Sequence, residues 1–265
     1  MSNWVVLLLG IVEGITEFLP VSSTGHLLLV EHGLRLDIHP SEVFNVVIQS
    51  GAVLAVLLAF SQRLGQMWVN RSTPAVRSYV FKLGIAFVVT VVGALALKKL
   101  DWELPENPAP VAWATLIGGG IILVLEWLNR HRSGTIADPD PVPWTVAVAV
   151  GLSQVVAAAF PGTSRSGASI LMAMAMGINR PAAIEFSFLL GVPTLLAAAA
   201  YTMFSAMRHH TPVEPVGQIV LGTVVAAITA FIVVRWLLKY VQSHTLTPFG
   251  WYRVILGILI LVALR

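Results

Sequence analysis

Two carboxylates four residues apart in an otherwise apolar run are the first sign of chemistry in this chain. Glu13 and Glu17 lie in the stretch Val5 to Leu19, and i, i+4 spacing puts both on one face of a helix. Carboxylates in such a setting are costly unless they are wetted at an interface or compensated. Held close together, two of them raise one another's proton affinity or share a divalent cation, and hard oxygen ligands favour Mg²⁺ or Ca²⁺. The segment continues as Pro20-Val21-Ser22-Ser23-Thr24-Gly25-His26. Pro20 ends one helix, and the hydroxyls and glycine open another, so a helix N-terminus with free N–H groups stands beside the carboxylates. Such an end favours an anion such as phosphate. His26 follows Ser23 by three residues, close enough for a serine nucleophile with a histidine base, or for a histidine that itself attacks phosphorus. A helix cap followed by an unrelated histidine is the plainer alternative.

A second interruption reads Pro161-Gly162-Thr163-Ser164-Arg165-Ser166-Gly167. Its guanidinium lies between two hydroxyls in an apolar neighbourhood, and a planar fork of donors suits phosphate oxygens. A purely structural pairing of Arg165 with a buried glutamate such as Glu185 is the alternative. The candidate chemical groups are thus Glu13, Glu17, Ser23, His26 and Arg165. Ser22, Thr24, Gly25, Thr163, Ser164, Ser166 and Gly167 join Arg165 as candidate substrate contacts. Together they describe a site for a phosphate-bearing substrate within a membrane.

The elements that must position these groups follow from composition. The chain has 265 residues, of which 57% are hydrophobic and 11% charged, with a mean hydropathy of +0.83. That is an integral membrane protein without room for a soluble catalytic domain. A net charge of +3, scattered through short connections, excludes a nucleic-acid binder. The absence of cysteine removes disulfides, thiolate nucleophiles and cysteine metal sites. No basic residue precedes the first apolar run, and Glu13 and Glu17 follow it where a cleavage site would lie, so no cleaved signal peptide is expected.

Apolar runs at about 4–19, 43–60, 79–97, 110–128, 144–160, 181–204, 216–238 and 249–264 are eight helix candidates. Trp4, Trp68, Trp113, Trp127, Trp144, Trp236 and Trp251 fall at or near their ends, where amphipathic rings prefer to sit. The expected fold is all-α, a polytopic helix bundle forming one domain over 1–265. Gly10 to Val30 and Gly151 to Leu171 are both apolar helices broken by proline and a hydroxyl cluster. Offset by 141, they pair Gly10 with Gly151, Pro20 with Pro161 and Ser23 with Ser164, while Glu13 faces Gln154 and Ser22 faces Thr163. This predicts an internal repeat, about 4–97 and 144–238 with a final helix at about 249–264. Broken backbone at membrane depth is tolerated where it is buried in protein or lines a wet cavity, so the two breaks should meet at the site. Arg63, Arg71 and Arg77 in one connection and Arg130 and Arg132 in another place both in the cytoplasm. The segment Lys98 to Glu106, where two lysines face Asp101, Glu103 and Glu106, falls outside. If each break is a re-entrant hairpin, the first opens outward and the second inward, which makes the repeat inverted.

The run Glu13-Gly14-Ile15-Thr16-Glu17-Phe18-Leu19-Pro20-Val21-Ser22-Ser23-Thr24-Gly25-His26, with Pro161 to Gly167 and Glu185-Phe186-Ser187-Phe188, closely resembles the undecaprenyl-pyrophosphate phosphatase family, also called the bacitracin-resistance family. The resemblance covers nearly the whole chain. It implies an enzyme of the bacterial plasma membrane, its site open to the outer, periplasmic face. Such an enzyme removes the terminal phosphate of a C55 polyprenyl pyrophosphate and so regenerates the lipid carrier for cell-wall polymers. It also implies dependence on a divalent metal, with the family's acidic pair on Glu13 and Glu17, Glu17 being expected as the closer ligand, its hydroxyl and histidine on Ser23 and His26, and its arginine on Arg165. Asn45, Gln49, Glu185 and Ser187 fit a supporting shell or simple interhelical hydrogen bonding. The small residues Gly118 to Gly120 and Ala173 to Gly177 mark close helix contact, and His209 and His210 read as solvated.

A phosphatidic-acid type of lipid phosphatase is a weaker match, because no histidine follows Arg165 until His209. A transporter or flippase for the carrier lipid would account for the paired breaks but does not require a Ser/His pair. Expected partners are the polyprenyl pyrophosphate and membrane lipids, with no nucleic acid.

Overall fold

In the computed structural model, residues 1–33, 41–102, 108–130 and 142–263 are described. Among them are eleven helices and no strand. They are α1 (Asn3–Thr16), α2 (Ser23–Gly33), α3 (Glu42–Ala59), α4 (Ser61–Val69), α5 (Pro74–Lys99), α6 (Ala109–Asn129), α7 (Trp144–Ala159), α8 (Arg165–Ala175), α9 (Arg180–His209), α10 (Val216–Tyr240) and α11 (Thr247–Ala263). All eight apolar runs are helical, since a lipid-facing segment must satisfy its own backbone. Capping residues define several starts. Thr73, Ser164 and Asn179 accept from the N–H groups of Val76, Gly167 and Ala182 at 3.4, 3.1 and 2.9 Å, each relieving one unpaired donor of the first turn.

α5, α6, α9 and α10 are each long and apolar enough to cross a membrane, and α3 with α4 is a fifth candidate, bent by 63°. α1, α7 and α11 are shorter apolar helices. The chain is a multi-pass membrane protein. α9 lies largely buried, packed by α3 and α8, whereas α5 and α10 leave most of their apolar surface outside the core.

α4 departs from the sequence reading, which left 61–78 as a basic connection. Its mixed polar and apolar composition hides it from hydropathy, yet residues 61–69 are helical. They carry Arg63 to the Glu185 carboxylate at 2.8 Å. Arg132, Glu103 and Glu106, used in assigning an orientation, lie outside the described residues.

Glycines set the closest helix contacts. α1 packs on α10 through Gly10 and Gly14, and α7 packs on α5 through Gly151, which faces Ala86 and Val89. α6 meets α11 at Gly119, where a side-chain carbon would come within 2.7 Å of the Gly250 carbonyl oxygen. A β-carbon at Gly14 would stand 2.6 Å from the Ala226 carbonyl oxygen and 2.8 Å from the Thr229 β-carbon. Gly14→Val should therefore lower stability by about 1–3 kcal/mol through overpacking. Thermal unfolding in detergent tests this, and an unchanged midpoint would show that α1 is not seated on α10.

Candidate active site

The site is built from two turns that share one conformation. Ser22, just before α2, has φ of +73°, and Ser164, just before α8, has φ of +69°, a region that side chains other than glycine adopt at a cost of about 1–3 kcal/mol. Each serine then caps its helix. Ser22 Oγ accepts from Gly25 N–H at 3.3 Å, and Ser164 Oγ from Gly167 N–H at 3.1 Å. The matching positions are Ser22 with Ser164 and Gly25 with Gly167, an offset of 142 rather than 141. Gly162, with φ of +96°, sits in a second break one residue longer between proline and cap.

The two turns meet at Glu17. Arg165 Nη2 donates to Glu17 Oε1 at 2.6 Å, and Ser23 Oγ donates to Glu17 Oε2 at 3.0 Å. Nη1 of Arg165 donates to Thr194 Oγ1 on α9 at 2.9 Å and reaches the Gly191 carbonyl at 3.5 Å. Ser166 Oγ lies 3.2 Å from the main-chain oxygens of both Glu17 and Leu19, which docks the start of α8 onto the end of the first helix. Glu17 is thus an acceptor held between a fixed cation and a serine hydroxyl.

These groups face a cavity of about 570 Å³. Its polar end is lined by Glu17, Ser23, Thr24, Gln49, Ser164, Arg165 and Thr194. Its other walls, from α5, α7 and α9, are chiefly alanine, valine and leucine, ending at Lys98 and Tyr201. Lys98 donates to the Tyr201 hydroxyl and stands over the Tyr201 ring. A charged end and an apolar wall suit an amphiphile with an anionic head.

Glu13 lies behind this lining. It is fully buried, and with both acids ionised neither of its carboxylate oxygens has a hydrogen-bond partner; it stands close enough to Glu17 to share a proton with it when one of the two is protonated. No cluster of three or more His, Cys, Asp or Glu side chains occurs among the described residues. Two carboxylates suit a small divalent ion such as Mg²⁺, which takes its remaining ligands from water and phosphate. The oxygens left for such an ion are those of Glu13, because both oxygens of Glu17 are engaged.

The other predicted residues divide. Thr163 turns its hydroxyl back to the Phe160 carbonyl at 2.7 Å. Gln49 lines the cavity and Asn45 does not. Glu185 is engaged by Arg63 at 2.8 Å and lies 3.5 Å from the Tyr79 hydroxyl, so it is not the partner of Arg165. Ser187 lies 2.8 Å from Ser169 of α8, away from the cavity. His209 and His210 are exposed at the end of α9. His26 and Ser23 are not hydrogen-bonded to each other: the His26 ring faces the Ser22 carbonyl and Tyr252 at 2.7 and 2.6 Å.

Arg253 was missed, although one arginine in an apolar run was the available signal. It is fully buried, and each of its guanidinium N–H groups finds a main-chain oxygen. Nε donates to Thr115 at 3.1 Å. Nη1 donates to Thr163 and Pro20 at 3.0 and 3.5 Å, and Nη2 to Gly162 and Ala114 at 3.0 and 3.2 Å. Pro20 belongs to the first turn, and Gly162 and Thr163 to the second. One side chain therefore ties both turns to α6.

A family model described as "Bacitracin resistance protein BacA" matches residues 6–259. A protein of Xylella fastidiosa (strain 9a5c) named undecaprenyl-diphosphatase is 46% identical over 257 residues, covering 96% of each chain. One of the same name from Xanthomonas axonopodis pv. citri is 47% identical over 258 residues, covering 97% of this chain and 95% of the relative. With the match running from α1 through α11 and so across both turns, the chain belongs to the bacitracin resistance protein BacA family.

Proposed function

We propose that this protein is an undecaprenyl-diphosphatase of the bacterial plasma membrane, hydrolysing the C55 polyprenyl pyrophosphate to the monophosphate and inorganic phosphate. The observation that carries the reading is the contact of Ser23, Glu17 and Arg165 at the polar end of an otherwise apolar cavity. The names of its relatives supply the lipid.

The pyrophosphate lies at the polar end, against the N–H groups of Arg165 not taken by Glu17 and Thr194 and against the starts of α2 and α8. The first prenyl units follow the apolar wall of α5 and α9. Ser23 is the attacking group whose proton already has an acceptor. Its Oγ forms a bond to the terminal phosphorus as the anhydride P–O bond breaks and the polyprenyl monophosphate leaves, while the hydroxyl proton passes to Glu17. Water then attacks the phosphoserine: its oxygen bonds to phosphorus as the P–Oγ bond breaks, Glu17 returns the proton to Ser23 Oγ, and the water's protons leave with the released phosphate. A divalent cation, when bound, offsets the negative charge gathering on the phosphoryl oxygens. Glu13, with Glu17 beside it, is the group to hold it.

The membrane arrangement follows the same lines. The cavity ends at Lys98, at the opposite end of α5 from Arg77, so a cytoplasmic Arg71–Arg77 segment puts the opening on the outer, periplasmic face. Shared turn conformations, paired caps and the exchange of contacts, α1 on α10 and α7 on α5, support an inverted repeat with two re-entrant hairpins.

The test is phosphate release from a long-chain prenyl pyrophosphate by the purified protein in detergent, with and without chelator. Release that stops on chelation and returns with added Mg²⁺ or Ca²⁺ is expected. No release by folded protein with metal present would overturn the phosphatase reading and favour a carrier-lipid transporter.

A further inference from the structure

His26 is engaged at both ring nitrogens. Nδ1 is 2.7 Å from the Ser22 carbonyl oxygen, and a carbonyl only accepts, so Nδ1 carries a hydrogen. In the neutral ring Nε2 then holds the lone pair, and the Tyr252 hydroxyl 2.6 Å away donates into it. The two rings stack, with centroids 5.5 Å apart and planes within 10°. Neither residue lines the cavity. A histidine whose lone pair is taken by a phenol and whose N–H is taken by a carbonyl has nothing left with which to accept the Ser23 proton.

What this ring holds is the strained residue of the first turn. Ser22 has a left-handed φ of +73°, and its own Oγ is occupied by the cap to Gly25. The carbonyl of Ser22 takes a long main-chain bond from the His26 N–H at 3.4 Å and a much shorter one from the His26 ring at 2.7 Å, so the side chain is its stronger restraint. In the second turn the restraint comes from Arg253, through the carbonyls of Gly162 and Thr163. Tyr252 and Arg253 are adjacent on α11, so one turn of that helix holds both breaks.

We infer that Tyr252 is a positioning residue: it fixes His26 as the Nδ1–H tautomer, and His26 in turn holds the Ser22 carbonyl so that Ser23 Oγ stays on Glu17. The catalytic consequence rests on the phosphatase reading; the tautomer does not. Both residues act through Ser22.

The experiment uses full-length protein in detergent, three single variants, Tyr252→Phe, His26→Ala and His26→Asn, and the double variant that combines Tyr252→Phe with His26→Asn. Asparagine places an amide N–H where Nδ1–H stands but cannot accept a proton as imidazole does. His26→Ala should lower kcat about 100-fold, a size typical of a lost catalytic alignment. His26→Asn should stay within about tenfold of the wild type, and Tyr252→Phe should lower kcat about tenfold with KM nearly unchanged. Combined with His26→Asn, Tyr252→Phe should have no further effect, because the contact it removes is already gone. His26→Asn as inactive as His26→Ala, with Tyr252→Phe fully active, would overturn the inference and make His26 a base. Wild-type turnover in all three variants would overturn it as well.

Nitrogen-15 NMR of the histidine side chains provides a readout independent of turnover, with the His26 signal identified by its loss in His26→Asn. A protonated Nδ1 and unprotonated Nε2 are expected in the wild type, and a mixture in Tyr252→Phe. An Nε2–H tautomer in the wild type would sink the inference even if phosphate is released. The expected tautomer without release would instead count against the phosphatase reading alone.

Discussion

Replacing Arg165 with lysine should lower phosphate release by about 100- to 1000-fold while leaving the protein folded. The guanidinium makes three contacts from one planar group: Glu17 at 2.6 Å, Thr194 at 2.9 Å and the Gly191 carbonyl at 3.5 Å. An ammonium preserves the charge beside Glu17 and so avoids stranding a buried carboxylate. It cannot at the same time span Glu17 and Thr194 and present a flat edge to phosphate oxygens. The loss should fall mainly on kcat, because the charge offset by Arg165 grows in the transition state. Arg165→Ala should be worse on both counts, since it also leaves Glu17 uncompensated in a site where only 7% of its side chain is exposed. Steady-state kinetics alongside thermal unfolding separates the two effects. If Arg165→Lys kept wild-type turnover, the guanidinium would be a structural partner of Glu17 and nothing more.

Arg253→Leu should be the most destabilising single change outside the site, lowering stability by about 4 kcal/mol or more. The carbonyls of Pro20 and Thr163 lose their donor, while Ala114 and Thr115 keep the ladder of α6 and Gly162 keeps the Thr115 hydroxyl at 3.3 Å. Each buried, unsatisfied carbonyl costs about 1–3 kcal/mol before relaxation, and the cavity left by the side chain adds to that. Water reaching the cavity left behind offsets part of the loss. Arg253→Lys should fall in between, because three ammonium donors cannot serve oxygens on the two turns and α6 together. The measurements are the thermal midpoint in detergent and the yield of monodisperse protein. A wild-type midpoint for Arg253→Leu would show that the two turns are joined without it. Because Gly118 faces this guanidinium and a side chain there would overlap it, Gly118→Val should reproduce the defect.

These two arginines show where reading a sequence of this kind stops. Arg165 stood out because it lay in a hydroxyl cluster after a proline, and that local context pointed to an anion. Arg253 stood in an equally apolar run with no motif around it, and its partners are main-chain carbonyls, which every sequence has and none advertises. His26 was legible as a functional position from its place after Ser23. The spacing of three residues did not say that its ring turns toward Tyr252, 226 residues away. Glu185 looked like a possible partner for Arg165, but α4, whose mixed polarity concealed it, brings Arg63 there first.

Composition and apolar run length determined the class by themselves, since a continuous apolar run of about 20 residues satisfies its own backbone in a bilayer as a helix, whereas a barrel strand would be shorter and alternate. Local chemistry was also legible: Pro20 and Pro161 stop helices wherever they are, and the hydroxyls after each open the next one, but that Ser22 rather than Ser23 is the counterpart of Ser164 was decided by the structure. The tertiary fold decided which groups share the site, because Glu17 and Arg165 lie 148 residues apart and meet where Ser166 docks the start of α8 on the main chain of Glu17 and Leu19. It also decided which carboxylate is engaged and which is left with free oxygens, a matter of ångström distances that residue order does not encode.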